Sequence, residues 1–360
     1  MKYILGIDTT FHSSAVGLID EEGKVIINEK VDLDFTSQEA KKFYNFHNRN
    51  LLLLLKPILE KYEKDIFLIC ASSLEGPFHA MPVGAVVANT ISHIFEKKIM
   101  GVKHEMAHIH ANWLDRSIED FSFPIIGLNA SGAHSSIYAM KSQLDITKIY
   151  ELKWRDDAEK PTGLGALFDI ICSSMGINLK RGDGGAHLEI LALAGKSRYK
   201  EKLLDWPLKR ENKFLNLENT ELYISEKLKS LNYYSLTDEE KKIFQKDFSS
   251  SVLDALFDLL ISELFRLAKE TGAKEIHSVG GITLNKIFCQ KLASFCKINN
   301  LNFKIPAKLD YCLDNGAMVA ISGYMKWKNE EFSQSEKSGF LTIEPSDSYY
   351  KYYVKHVLGS

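Results

Sequence analysis

At 360 residues, 45% of them hydrophobic and 26% charged, the chain has the composition of an ordinary soluble protein and is long enough for two lobes with separate cores. A formal net charge of -2 excludes a grip on nucleic acid by bulk charge alone, so any RNA contact must be local or helped by a partner. Five scattered cysteines without a C-x-x-C pair exclude a disulfide framework and a cysteine zinc site, and read as reduced core residues of a cytoplasmic protein.

In chain order, the opening residues reach Asp8 too soon for a signal peptide and read instead as a buried strand, a polar turn and a returning strand. A third strand is expected near 24–28, a long helix over 37–64 and a strand over 65–71. The leucine run at 51–55 is too short to span a membrane and reads as a buried helical turn. A loop at Gly76-Pro77-Phe78 precedes a helix over 83–97, a strand over 98–102 and a helix over 104–115. Strands then follow at 124–129, 135–140 and 146–152, with helices at 164–175 and 187–195. Residues 196–213 are locally basic, which suits either a solvated insertion or a nucleic-acid-facing patch. A helix over 238–271, a strand over 275–279 and helices over 284–298 and 315–328 come last, before a polar, tyrosine-rich tail without a clear period.

The opening pattern occurs twice. Ile4-Leu5-Gly6-Ile7-Asp8-Thr9-Thr10-Phe11-His12-Ser13-Ser14 is matched, with one residue inserted, by Ile125-Ile126-Gly127-Leu128-Asn129-Ala130-Ser131-Gly132-Ala133-His134-Ser135-Ser136. Small-residue turns of this kind expose backbone N–H groups that hold phosphate or carboxylate oxygens, and two of them facing each other make a cleft for a nucleotide. Chance likeness of two apolar hairpins is the competing explanation.

His104-Glu105-Met106-Ala107-His108 matches H-E-x-x-H letter for letter, and on a helix the two imidazoles stack at i and i+4 within reach of one metal ion. A protease would need Glu105 as general base and a third ligand; Ala111 and Leu114 stand where the extended motif wants Gly and His, and nothing marks Glu119 for that place. Gly280-Gly281 ends a strand where backbone can approach a flat ligand and Asn285 can meet its polar edge. Asp314 opens the last helix, as an N-cap or as a ligand.

Taken in order, Gly6-Ile7-Asp8-Thr9-Thr10, Gly76-Pro77, His104-x-x-x-His108, Ser131-Gly132-Ala133-His134, Gly165 to Asp169, Gly280-Gly281 to Asn285 and Cys312-Leu313-Asp314-Asn315 resemble the tRNA N6-threonylcarbamoyladenosine synthase family, formerly the sialoglycoproteases. The resemblance implies an α/β actin-like ATPase (ASKHA) fold with two duplicated lobes around a nucleotide and metal cleft. Its lobes would be 1–122, with helix 315–328 returning to it, and 123–314, with a helical insertion around 196–235, leaving 329–360 as a polar tail.

It further implies His104, His108 and Asp314 as ligands of one iron or zinc ion, with Asp314 arriving from the far lobe. Asn129, Ala130, Ser131, Gly132 and Ala133 would carry acyl and phosphate contacts, and Asp169, Gly185, Gly281 and Asn285 the ribose and adenine side. Asp8 and His12 would be the catalytic residues, His12 replacing an acidic pair that the family carries in the first turn. The implied cofactors are that divalent metal and an adenine nucleotide, as ATP, AMP or an acyl adenylate. The implied partners are a tRNA and accessory subunits or an actin-like paralogue, with no membrane.

The chain departs from the family pattern elsewhere. Gly132-Ala133-His134-Ser135 replaces Gly-Gly-His-Thr, Gly165-Ala166-Leu167-Phe168-Asp169 replaces Gly-Glu-Ala-Phe-Asp, and no Pro-rich lid is recognisable over 36–47. Phe11-His12-Ser13-Ser14-Ala15 resembles the first turn of O-carbamoyltransferases. Carbamoyl transfer to a small-molecule hydroxyl through a carbamoyl adenylate therefore stands beside threonylcarbamoyl transfer to tRNA. A non-catalytic nucleotide-binding actin-like subunit is the third reading, and it leaves the joint presence of His104, His108 and Asp314 without a use.

Overall fold

The computed structural model describes the chain except residues 10–12, 34–42, 77–80, 132–134, 154–162, 181, 207, 212–213, 218 and 346–360. In chain order it forms β1 (Tyr3–Thr9), β2 (Ser13–Asp20), β3 (Val25–Asp32), α1 (Phe43–Tyr62), β4 (Ile66–Gly76), α2 (Met81–Ile94), β5 (Lys98–Lys103) and α3 (His104–His110). Next come β6 (Ile125–Ala130), β7 (Ser135–Met140), β8 (Ile146–Lys153), α4 (Leu164–Ser174), α5 (Gly184–Leu193), β9 (Lys209–Glu211), β10 (Phe214–Asn216), α6 (Thr220–Ser230) and α7 (Asp238–Thr271). The chain ends with β11 (Glu275–Val279), α8 (Lys286–Ile298), β12 (Asn302–Lys304), α9 (Gly316–Lys328), α10 (Gln334–Lys337) and β13 (Glu344–Pro345).

These elements divide into two compact units, one of Met1–Phe121 with Pro306–Ser360 and one of Ser122–Ile305. In the first, the strands lie in the order β3-β2-β1-β4-β5, with β1–β2 and β2–β3 antiparallel and β1–β4 and β4–β5 parallel. In the second, β8-β7-β6-β11-β12 repeats that order and those directions, with β10 and β9 added beyond β8. The doubled hairpin of the sequence thus extends to a doubled five-strand layout.

The first sheet is covered on both faces, which explains the near-continuous apolar runs of β1 and β2. Alternation sends Leu5 and Ile7 of β1 and Val16 and Leu18 of β2 into a core with Leu51, Leu55 and Ile58 of α1 and Val83, Ala88 and Ile91 of α2. The intervening positions, Gly6 and Gly17, are register partners and face α9. A Cβ on Gly6 would stand 2.0 Å from the Gly316 carbonyl oxygen, and one on Gly17 would stand 2.1 Å from the Ala317 amide nitrogen. Only glycine lets the start of α9 lie directly on the sheet. In the second unit, Ile126, Leu128 and Ala130 of β6 pack into a core built largely on α7, which a Thr237–Glu240 capping box opens and left-handed Gly272 closes.

Several expectations change. α3 stops at His110 and tightens into a 3-10 turn, Ala111–Trp113, instead of running to 115. The leucine run is amphipathic: Leu51 and Leu55 are buried, while Leu52 and Leu53 are 61% and 60% exposed. The segment 196–235 includes the β9–β10 hairpin as well as α6, and three of its basic residues pair with α7: Arg198 with Asp247, Lys200 with Asp254 and Asp258, and Arg210 with Glu263. Part of the tail is structured, since α10 and β13 return to the first unit and β13 pairs with β4. Residues 306–314 belong to the first unit, so Asp314 comes from the same unit as His104 and His108, not from the far one. Among the described residues, no helix is long and apolar enough to cross a membrane.

Candidate metal centre

β5 delivers the chain directly into α3, so His104 opens the helix and His108 follows one turn later on the same face. Their rings lie 4.8 Å apart at 84°, with the two Nε2 atoms 3.2 Å from each other. Asp314 Oδ1 completes a triangle, 3.4 Å from His104 Nε2 and 3.0 Å from His108 Nε2. Ligand atoms at tetrahedral zinc bond lengths lie about 3.3 Å apart, so three such edges fit a single small cation. Among the described residues these three are the group of histidine, cysteine and acidic side chains placed to hold a metal. The His104 and Asp314 side chains are 18% and 22% exposed, so the triangle is not sealed from solvent.

Asp314 is available because another residue caps α9. Asn315, not Asp314, accepts the Met318 amide at 2.9 Å, and its Nδ2 donates to the Leu313 carbonyl at 2.7 Å. The approach to Asp314 is pinned further back, where Asp115 accepts from the Tyr311 hydroxyl at 2.8 Å and from Lys308 at 2.9 Å. Buried His110 bonds Ser322 at 2.8 Å and so ties α3 to α9.

Asp8, at the carboxyl end of β1, is fully buried with Oδ1 3.2 Å from His104 Nδ1. Burial alone would lower the His104 imidazole, but Asp8 and Asp314 outweigh it and hold it well above the usual histidine range. Burial would likewise raise Asp314, yet His104 and His108 hold its carboxyl well below the usual range. Behind Asp8, Ser14 Oγ and His47 Nδ1 form a buried 2.9 Å hydrogen bond that the sequence did not advertise. A polar histidine on the inner face of a leucine-rich helix was the available signal. Thr9 is also committed to structure, its hydroxyl accepting the Gly84 amide of α2 at 3.1 Å.

Glu105 and Glu119 are not in the donor set, and Glu119 bonds Ser117 instead. In the second unit, Asn129 and Asn285 are over nine-tenths buried, and neither Asn129 Oδ1 nor Asn285 Nδ2 has a partner among the described residues. Asn285 Oδ1 is taken, capping α8 through the Phe288 amide at 3.0 Å. Asn129 lies beside Val279 in the β6–β11 register, just before the Gly280 turn. A Cβ on Gly280 would stand 2.5 Å from the Ala130 oxygen, whereas one on Gly281 would meet nothing within 4 Å. Ser131 accepts the Gly165 amide through its carbonyl at 3.3 Å. Both oxygens of Asp169 serve the loop before α5, accepting the Gly182 and Gly184 amides at 2.8 and 2.9 Å, with Gly185 against the Phe168 ring. His12, Gly132 and Ala133 lie outside the described residues.

Comparison with known proteins gives the family and the fold. The family model described as tRNA N6-adenosine threonylcarbamoyltransferase (TsaD) matches residues 41–321. A tRNA N6-adenosine threonylcarbamoyltransferase of Staphylococcus aureus (strain Newman) is 26% identical over 284 residues, covering 78% of this chain and 76% of its own. One of Leptospira interrogans is 27% identical over 332 residues, covering 89% and 92%. Among solved structures, full-length HypF in a phosphate- and nucleotide-bound form superposes with a TM-score of 0.60 at 14% identity over 92% of this chain. This chain spans 56% of that HypF, and the likeness shows the shared actin-like ATPase fold. With a family model matching most of its length, the chain belongs to the tRNA N6-adenosine threonylcarbamoyltransferases, and is a transferase.

Proposed function

We propose that the chain transfers a threonylcarbamoyl group from an adenylate to the N6 amine of a tRNA adenosine, with one divalent ion held by His104, His108 and Asp314. The observation that carries this reading is the convergence of two imidazole Nε2 atoms and one carboxylate oxygen within 3.0–3.4 Å in a chain of this family. An N,N,O donor set with open positions suits iron or zinc. When bound, the ion supplies Lewis acidity toward the carbamoyl oxygen.

The chain's own residues do the rest. His104 and His108 present their Nε2 atoms from one helix face, and Asp314 offsets the ion's charge. In the second unit, Asn129 Oδ1 and Asn285 Nδ2 offer the adenylate one acceptor and one donor, both unpaired among the described residues. Gly281 leaves room for a flat base, Asp169 shapes the loop that carries Gly185 to the ribose side, and Ala130 and Ser131 precede Gly132 and Ala133, which lie outside the described residues. Gly132 and Ala133 serve the acyl and phosphate oxygens, where charge develops. His12 serves as the proton acceptor for the attacking amine.

Metal analysis of the purified protein, with mass spectrometry of its denatured extract, tests the reading. About one equivalent of iron or zinc and an adenylate bearing a threonylcarbamoyl group are expected, one ion per three-ligand site. His108→Ala and Asp314→Ala should lose the metal and the activity while staying folded, and retained metal in either contradicts the site. A carbamoyl adenylate without the threonyl part would point instead to transfer onto a small-molecule hydroxyl.

A further inference from the structure

We infer that Asp8 is a positioning residue of the metal centre: its buried carboxylate holds His104 in the ring orientation and tautomer that turn Nε2 toward His108 and Asp314. The inference rests on the metal reading above and adds to it a residue that touches neither ion nor substrate.

The placement follows from the strand. Alternation along β1 puts Gly6 and Asp8 on the face that carries α9, opposite the face of Leu5 and Ile7. Gly6 lies beneath the start of α9, and Asp8, one side-chain step further, comes out beside the first residue of α3. Asp8 has no solvent exposure, so its carboxylate meets the protein and not the open side of the site. Its Oδ1 lies 3.2 Å from His104 Nδ1, and its Oδ2 has no hydrogen-bond partner among the described residues. A carboxylate is an acceptor only, so the proton of that contact sits on Nδ1 of the imidazole, and Nε2 is the nitrogen left for a cation, which displaces any proton held there.

His108 differs. Its Nε2 faces the same triangle, but its Nδ1 has no hydrogen-bond partner among the described residues. The two ligands are therefore unequal, with one ring fixed from behind and the other fixed by the helix and the ion alone. Asp8 is itself held. It pairs with Ala15 across the β1–β2 ladder, Thr9 beyond it clamps Gly84, and the Ser14–His47 pair is buried nearby. A strand residue whose backbone is held in this way presents its carboxylate to the ring it bonds from a fixed base.

The test is cobalt(II) affinity of the full-length protein, read by competition with a chelating dye and by the cobalt ligand-field absorption. Loss of such an outer carboxylate costs about 10–100-fold in metal affinity. Asp8→Ala should fall in that range and Asp8→Asn by less, since its amide oxygen can still accept from Nδ1, with circular dichroism unchanged in both. Wild-type affinity in a folded Asp8→Ala overturns the inference, including where activity is lost, because Asp8 would then act on substrate. A wild-type protein that takes up no cobalt defeats the metal reading itself, and this inference with it. If Asp8→Ala does not fold, imidazole nitrogen NMR of the zinc-loaded wild-type protein decides: a proton on His104 Nδ1 supports the assignment, and one absent from Nδ1 overturns it.

Discussion

Gly6 and Gly127 occupy the same place in the two copies of the opening pattern, yet only Gly6 is covered by a helix. A Cβ on Gly6 would stand 2.0 Å from the Gly316 carbonyl oxygen and 2.5 Å from the Ala320 amide, whereas one on Gly127 would meet the Met140 sulfur at an ordinary 3.6 Å. Backbone cannot give way as the end of a side chain can, so the two alanine variants should part company. Gly6→Ala should cost about 3 kcal/mol or more, the upper end for overpacking, and weaken metal uptake by displacing the start of α9 that carries Asp314. Gly127→Ala should change stability by under about 1 kcal/mol. Urea unfolding and metal titration of both variants check this, and equal effects would refute it.

Asn315 frees Asp314 from capping duty, and its own loss should show as a local defect. Asn315→Ala removes the Met318 cap and the bond to the Leu313 carbonyl, for a cost of about 1–2 kcal/mol. Asn315→Asp keeps the cap but cannot donate to Leu313, so its stability should fall between the two. Thermal unfolding of the three proteins gives the order. Capping by Asp314 in place of Asn315 would leave all three alike.

Burial pushes the His47 imidazole down to about 4, against a smaller upward pull from Asp8. In the unfolded chain a histidine titrates near its ordinary value of about 6.5. Below that value the unfolded state gains a proton that folded His47 refuses, so its contribution is fully present above pH ~6.5 and is lost as pH falls toward 4. Over that window the loss amounts to roughly 3 kcal/mol. Equilibrium unfolding at pH 7 and pH 5 should show a smaller drop for His47→Gln than for wild type, with Ser14, its hydrogen-bond partner, unchanged in both. Parallel drops would mean that His47 is protonated in the fold.

The legible parts of the fold are those with local period or repetition. The buried strands, the i and i+4 histidines and the 34 residues of α7 all declare themselves within a window of sequence. What stayed hidden depends on contacts distant along the chain. Gly6 and Gly127 read alike because the helix that separates them lies some 300 residues away from one and over neither in the local pattern. Asp314 could be named as cap or ligand, but the choice turns on Asn315 taking the Met318 amide. Its assignment to the far lobe failed because position in the chain is a poor guide when the last helix returns to the first unit. Asp169 is implied as a ligand contact by the family resemblance alone, and its hold on the Gly182 and Gly184 amides is a contact between residues 13 and 15 apart that no local pattern announces.

The tail shows the same limit most sharply, because it is held by single side chains without periodicity. Gly101, in β5 and three residues before His104, has its N–H accepted by Glu336 of α10 at 2.5 Å and its carbonyl bonded by Lys326 of α9 at 2.7 Å. The Glu336 side chain is 2% exposed and pairs with Lys326 at 3.5 Å, while Leu341 is locked to Asn89 by two hydrogen bonds. Two side chains thus do for this strand residue what a neighbouring strand would do, and protect it from pairing with another chain. Glu336→Ala would leave the Gly101 amide without its acceptor and the Lys326 ammonium with the Gly101 carbonyl but without its carboxylate, at a cost of about 3 kcal/mol. Glu336→Gln keeps an acceptor for Gly101 and should cost less. Hydrogen exchange should then quicken at Gly101 in the alanine variant well before the core of the second unit responds. Unchanged protection at Gly101 would show that the contact does not hold this edge.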